Sequence, residues 1–285
     1  MQALLPLGLA FLMFTVGMKL TLADLAEVFK SPKGLLTGLM SQMIALPLLA
    51  IFISRLFDLP PPLATGLLIV AIAPGGITSN YVTLLAAGDV ALSTGMTLVT
   101  SLAAGVTIPL LLSISGYLPL AANSASAFSL IKMGVGMFAV TAVPLVLGIL
   151  FQLRSKAFAL HVSALLDMLS KLVFLAIVAA TFYQNWDAMM DHLGSVGPSV
   201  ISLNFAAILT ALALGRAAGL SAPKRLAIII ETGLQNVAMA IVVAGSLLGQ
   251  PDLAVPALIY AIIMNISAGI ILFVSRLKNG LELPA

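Results

Sequence analysis

The chain has 285 residues, 61% of them hydrophobic and only 8% charged, with a mean hydropathy of +1.18 and a formal net charge of +3. Soluble domains run at roughly 45–50% apolar and about 25% charged, so this composition excludes a water-soluble globular fold and suits one integral membrane bundle with short loops. With no cysteine there are no disulfides, thiolate nucleophiles or cysteine metal sites, and basic residues that sit at the ends of apolar runs rather than in a solvated patch argue against a nucleic-acid partner.

A helix needs about 20 apolar residues to cross the hydrocarbon core. On that measure nine runs qualify, at roughly 3–20, 34–56, 62–87, 90–115, 128–152, 162–182, 198–215, 223–248 and 253–275. The expected fold is therefore an all-α polytopic membrane protein with nine transmembrane helices. The first run starts without a basic leader or a small-residue cleavage site and reads as a retained span rather than a signal peptide. Pro74, Pro109 and Pro144 lie inside runs and should kink or break them. Pro198 and Pro223 fall near helix starts, where a missing N–H costs little. The scattered methionines read as core filler.

An odd number of spans puts the termini on opposite faces. One face then collects Lys19, Lys30, Lys33, Arg154, Lys156, Arg216, Lys224, Arg225, Arg276 and Lys278, and the other only Arg55 and Lys132, with Lys171 inside a span. Positive residues stay on the cytoplasmic side, so the N-terminus is expected outside and the C-terminus in the cytoplasm of a plasma (inner) membrane. The stretch 184–197 carries Asp187, Asp191 and Trp186 without Lys or Arg and is expected to be an outer loop, with Tyr183 and Trp186 as interfacial anchors.

Spans 3 and 8 carry polar breaks, Pro74-Gly75-Gly76-Ile77-Thr78-Ser79-Asn80 and Glu231-Thr232-Gly233-Leu234-Gln235-Asn236. The two spans run in opposite directions. Each has an apolar half, a break that contains Gly and ends in Asn, and a second apolar half, and each is followed by one more span. Weak likeness between oppositely oriented halves is the mark of inverted repeats, here with two discontinuous crossing helices and a site between them. The repeat is imperfect, since Gly76 to Asn80 spans four positions and Gly233 to Asn236 three.

A carboxylate inside an apolar run is costly unless it faces a cavity or finds partners, which makes Glu231 the centre of the expected site. It lies six residues beyond Arg225, about 9 Å at the helical rise, so snorkelling to the surface is the competing reading. The clustering of Thr232, Gln235 and Asn236 around it favours a site, and in a regular helix Glu231 and Gln235 would share a face. Ser79 and Asn80 can cap a restarted helix, whose free N–H groups and positive dipole end suit an anion. Ser93, Thr97 and Ser101 form a hydroxyl stripe on span 4, while Gln42 on span 2 and Asn265 on span 9 are modest signals alone. One carboxylate among amide and hydroxyl oxygens suits a hard cation such as Na⁺ rather than a transition metal. No HExxH is present, Asp89 lacks a second intramembrane aspartate, and His161 and His192 lie near span ends, so an enzyme is not expected.

The segments PGGITSN, GDVALSTGMT and ETGLQN, in that order, resemble the motifs of the bile acid:sodium symporter family, and in span order the likeness covers nearly the whole chain. The resemblance implies two sodium ions behind the crossing point of the broken helices. Carried over by position, the first would use Ser79, Asn80, Ser93, Thr97 and Glu231. The second would use Gln42, Glu231 and Gln235 with the main-chain carbonyls of Thr232 and Leu234. An organic anion would bind beside Thr78, Asn80, Asn236 and Asn265. The family's architecture implies a core bundle including 62–115 and 223–275, with crossing helices 62–87 and 223–248. It would move against a panel of the remaining helices, such as 1–30 and 128–182, by alternating access.

This chain resembles the nine-span form, lacking the extra first helix of ten-span bacterial members. The position after the second Gly, commonly polar in the family, is Ile77 here, which bears on substrate identity. The expected function is sodium-coupled symport of an organic anion, bile-acid-like or a small carboxylate such as pantoate or a 2-oxo acid, by a monomer in the bilayer. Two alternatives stand beside it. One is a proton-coupled organic-acid transporter that protonates Glu231 in each cycle. The other is an ion channel, although the sequence has nothing like a selectivity filter or a ring of like charges.

Overall fold

The computed structural model describes residues 4–19, 32–116, 124–154 and 156–279. Lys30 lies outside the described residues, as do the side chains of Ile77, Lys156, His161, Lys171 and Lys278. Every regular element among the described residues is a helix, apart from one isolated antiparallel bridge. In chain order they are α1 (Leu4–Lys19), α2 (Pro32–Leu56), α3 (Pro61–Ile72), α4 (Ile77–Leu85), α5 (Val90–Ile114), α6 (Ser124–Val140), α7 (Ala142–Arg154), α8 (Lys156–Gln184), α9 (Trp186–Ala217), α10 (Ala222–Gly233), α11 (Val237–Leu247) and, after a 3₁₀ turn at Pro251–Ala254, α12 (Val255–Asn279). Among the described residues, five helical stretches are long and apolar enough to cross a membrane: Pro32–Leu56, Val90–Ile114, Ile131–Arg154, Trp186–Ala217 and Asp252–Leu277.

The outside of the bundle is apolar and part of its inside is polar, the reverse of a soluble fold. On α2 the exposed residues Leu36, Met40, Ile44, Leu48, Phe52 and Leu56 recur every four positions and present one greasy stripe outward. Ser41 and Gln42 of the same helix are buried. Such a stripe is at home against lipid tails.

Glycines set the closest helix contacts. A Cβ on Gly17 of α1 would run into the backbone carbonyl of Leu145, and one on Gly148 of α7 would run into that of Phe14. Backbone-to-backbone approach of this kind is how helices associate where no hydrophobic force separates them from lipid. Phe14 and Phe151 flank the contact with ring centroids 6.0 Å apart, and Thr15 Oγ1 meets Ser170 Oγ of α8 at 3.1 Å. Gly148→Val is expected to separate α1 from α7 and destabilise the protein by about 1–3 kcal/mol, read as a lowered melting temperature in detergent.

The prolines act differently from one another. Pro144 does interrupt its run: α6 ends at Val140, and Thr141 sits in a turn with its hydroxyl donating to the Met137 carbonyl at 2.6 Å. Pro109, expected to kink or break span 4, stays inside the uninterrupted α5. It cannot donate to the Gly105 carbonyl four residues back, and that carbonyl points at Gly134 of α6, where a Cβ would stand 2.8 Å away. A bare Gly134 lets the neighbouring helix cover the freed acceptor.

The expected outer loop 184–197 is a second correction. Asn185 alone forms the turn, and Trp186–Ala217 is one helix of 32 residues with Pro198 in its interior rather than near its start. Polar residues there suggest a loop, yet Met189 and Val196 are buried and tie this turn-rich sequence to the bundle as helix. Gly194, whose carbonyl Pro198 leaves without its donor, is exposed and has open space around it. Tyr183 and Trp186 are both exposed, at the end of α8 and the start of α9.

Candidate functional site

Two helices stop and restart at the positions of the polar breaks. Proline disfavours helical backbone in the residue before it. Ala73 accordingly turns extended (φ −64°, ψ 147°), ending α3, and Gly76 (φ −99°, ψ 166°) leads into α4. In the other helix α10 ends at Gly233, and Leu234 is extended (φ −109°, ψ 96°). Asn236 caps α11, its Oδ1 accepting from Met239 N at 3.1 Å. The two extended segments pair with each other: Gly75 and Gln235 form the antiparallel bridge, and Asn236 N donates to the Pro74 carbonyl at 2.9 Å. Backbone groups freed by each break are thereby partly satisfied by the other, as they must be away from water.

Glu231, two residues before the end of α10, is fully buried. Its partners are hydroxyls brought by α4 and α5. Ser79 Oγ donates to Oε2 at 2.6 Å, Ser93 Oγ to the same oxygen at 2.7 Å, and Thr97 Oγ1 to Oε1. Ser93 and Thr97 present one face because they are four residues apart on α5, whose start is fixed by Asp89 capping Leu92 N at 3.0 Å. Asn80 joins the edge of this group, with Nδ2 3.4 Å from Thr97 Oγ1 and Oδ1 3.4 Å from Thr94 Oγ1. Snorkelling of Glu231 to the surface is therefore not its conformation. A Cβ on Gly75 would coincide with Glu231 Oε1, so the carboxylate rests directly on the bare backbone of the first break.

Beside it lies a second oxygen-rich cluster. Met40–Ala45 of α2 is a π-turn, in which Leu46 N bonds to the Ser41 carbonyl, and it sits just before Pro47. Proline crowds the carbonyl four residues back, and widening the preceding turn relieves that. The turn carries Ser41 and Gln42 inward. Gln42 Nε2 is 3.5 Å from Gln235 Oε1, Gln235 Nε2 donates to the Thr232 carbonyl at 2.7 Å, and Thr232 Oγ1 donates to Ser41 Oγ at 3.2 Å. Because α10 ends at Gly233, Gln235 reaches this cluster from the extended segment and not from the helical face shared with Glu231. Leu234 is buried in the same stretch. Gln42 Oε1 and Asn236 Nδ2 are both buried without a hydrogen-bond partner among the described residues.

The expected substrate residues are not all together. Asn80 lines a gap of about 10 Å³ between α1, α7 and the α4–α5 pair, whose other walls include Met13, Val16, Gly75, Thr94 and Leu145. That is room for about one water. Thr78 is exposed on the first turn of α4. Asn265 opens onto a different groove, of about 560 Å³, between Val178 and Phe182 of α8 and Ile262 and Ile266 of α12, and its amide donates to the Ala261 carbonyl at 2.7 Å.

Several participants carry no sequence signal of their own. Thr83 backs Ser93 at 3.4 Å, and Ser41 meets Thr232. Asn204 of α9 and Tyr260 of α12 both donate to the Gly233 carbonyl at 2.9 Å, and Ser267 Oγ donates to Asn204 Oδ1 at 2.5 Å. A free carbonyl at a broken helix end is the clue that such donors must exist somewhere, although not which residues supply them.

The Sodium Bile acid symporter family matches residues 6–192 of this chain. Among curated relatives, the chain is 33% identical over 249 residues to the probable sodium/metabolite cotransporter BASS1, chloroplastic, of Oryza sativa subsp. japonica, covering 87% of this chain and 60% of that protein. It is 30% identical over 267 residues to the Arabidopsis thaliana protein of the same name, covering 92% of this chain and 65% of that one. With the uncharacterized sodium-dependent transporter YocS of Bacillus subtilis (strain 168) it shares 28% identity over 266 residues, 92% of this chain and 80% of that protein. The chain thus spans under two thirds of the length of the plant relatives.

Proposed function

The chain belongs to the sodium bile acid symporter family, and from that premise we propose that it couples sodium entry to uptake of an organic anion by alternating access. One observation carries this reading: Glu231 is a fully buried carboxylate whose partners among the described residues are three neutral hydroxyls. Neutral donors solvate a charge but do not cancel it, and an uncompensated charge at that depth costs several kcal/mol. A cation among the same oxygens compensates it. Ser79, Asn80, Ser93 and Thr97 would complete that first site around Glu231, each hydroxyl turning a lone pair toward the ion.

Gln42 Oε1, an acceptor with no donor, favours a second cation. Gln42, Gln235, Glu231 and the carbonyls of Thr232 and Leu234 would hold it. Gln42→Leu is expected to raise the sodium concentration for half-maximal uptake by about tenfold, since a hydrogen-bond-grade contact to a charge is worth roughly 1.5–3 kcal/mol. A sodium titration of uptake measures it.

The substrate carboxylate is assigned to the other side of the meeting point, with Asn236 Nδ2, Asn80, Thr78 and the first N–H groups of α4. The gap at Asn80 must open for any organic acid to enter. In this reading α1, α6–α7 and α8 form the panel that moves against a core holding the broken helices. Asn265 would then meet the substrate along its route. Joined across their breaks, the helices make nine spans: α1, α2, α3–α4, α5, α6–α7, α8, α9, α10–α11 and α12. The ten-to-two division of basic residues would put the N-terminus outside and the C-terminus in the cytoplasm.

Sodium and substrate each raise the other's affinity, as linkage requires. The test is uptake by purified protein in liposomes, screened over steroid acids, pantoate-type acids and 2-oxo acids first ranked by sodium-dependent thermal shift. Accumulation driven by a sodium gradient supports the proposal. Accumulation driven by a pH gradient with sodium absent replaces it with proton coupling at Glu231, and unsaturable current with a channel.

A further inference from the structure

Outside the region of Glu231, a groove of about 380 Å³ lies between α9, α10 and α12. Its walls are ordered by depth. On α9, Ile208, Leu212 and Arg216 follow one another at four-residue spacing, and on α10 Arg225 and Ile229 do the same. The turn from α9 to α10 puts both arginines at one end, and Arg216 to Ile208 is about 12 Å of helix. Ile270, Ile271 and Val274 of α12 close the apolar far side, and no acidic residue among the described residues lines the groove.

Arg225 is held in place by its Nη1 donating to the Leu220 carbonyl at 2.5 Å, its one side-chain hydrogen bond among the described residues, so that other N–H groups of its guanidinium can serve a ligand. Arg216 is exposed at the mouth. Two guanidinium groups above an apolar slot match a phosphate joined to a hydrocarbon chain, because the planar fork takes two phosphate oxygens at once. The groove also touches the machinery. Ile208 Cγ1 would lie 3.3 Å from a Cβ on Gly233, so the deepest wall packs on the last residue of α10.

We propose that this groove seats one anionic phospholipid of the surrounding bilayer, with its phosphate on Arg216 and Arg225 and an acyl chain along Leu212, Ile208 and Ile229. The lipid fills the space behind α10 and braces the helix end that carries Glu231. This rests on the chain lying in a bilayer and not on which ion drives transport, so its test reads stability rather than uptake.

The experiment compares melting temperatures of the full chain in nanodiscs of phosphatidylcholine alone and of phosphatidylcholine with phosphatidylglycerol. The anionic lipid is expected to raise the wild-type value by roughly 4–8 °C. Arg216→Gln should lose most of that rise, and Ile270→Trp, which fills the slot without changing charge, should lose it too. Arg55→Gln, a change at an exposed basic residue on another helix, should keep it. An equal rise in Arg216→Gln and wild type would overturn the proposal in favour of general surface charge. An equal rise from inorganic phosphate in neutral nanodiscs would overturn it in favour of a simple anion site. No rise in the wild type would leave no lipid site at all.

Discussion

Glu231→Gln is expected to abolish sodium-driven uptake while yielding a protein that folds at least as well as the wild type. Glutamine keeps the shape of the side chain and one acceptor oxygen, so Ser79, Ser93 and Thr97 retain a polar partner. What disappears is the charge. Removing one member of a buried ion pair costs roughly 3–5 kcal/mol, which corresponds to at least about a hundredfold loss in apparent sodium affinity. Without sodium the sign reverses, because the variant no longer buries an uncompensated carboxylate. Melting curves with and without sodium separate the two effects: the wild type should rise with the ion and the variant should not. Sodium-dependent uptake surviving in Glu231→Gln would reject the proposed site.

Gly75→Ala is the second large effect. The added methyl has nowhere to go, since its Cβ would fall on Glu231 Oε1 and close to the rest of that carboxyl group. Either the carboxylate moves off the hydroxyls or the Gly75–Gln235 bridge opens, and both destroy the arrangement. The expected cost is about 1–3 kcal/mol of stability with complete loss of transport. Gly76→Ala is the control one residue away. Its backbone at φ −99° suits any residue, and its nearest neighbour would be Thr78 Oγ1 at 3.2 Å, the movable end of an exposed side chain. Transport retained by Gly75→Ala and lost in Gly76→Ala would show that the two breaks meet differently.

The breaks were legible because each is written locally. Pro74 dictates the conformation of Ala73, and a carboxylate amid Ile228, Ile229 and Ile230 has no cheap place except a polar interior. The first three turns of α9 were not legible, since Asp187, Asp191, His192 and Pro198 spell a loop until the burial of Met189 and Val196 is known. The π-turn under Gln42 follows from Pro47, yet a proline in an apolar run equally suits a kink or an uninterrupted helix, as Pro144 and Pro109 illustrate. Asn204, Tyr260 and Ser267 share no local pattern. Only tertiary packing brings their side chains to one another and to the Gly233 carbonyl. Residues that act by meeting across the fold leave no periodic trace in the chain.

The mutual pairing of the two unwound segments has a further consequence. Rewinding either one into α-helix would withdraw its half of the bridge and strand the Pro74 carbonyl or its donor, the Asn236 amide, in a medium that offers no replacement. The two kinks therefore stand or fall as a unit, like the halves of a clasp. A half-assembled intermediate with one of the two proposed ion sites built and its neighbour erased has no foothold, so sodium loading of both should register as a single cooperative event.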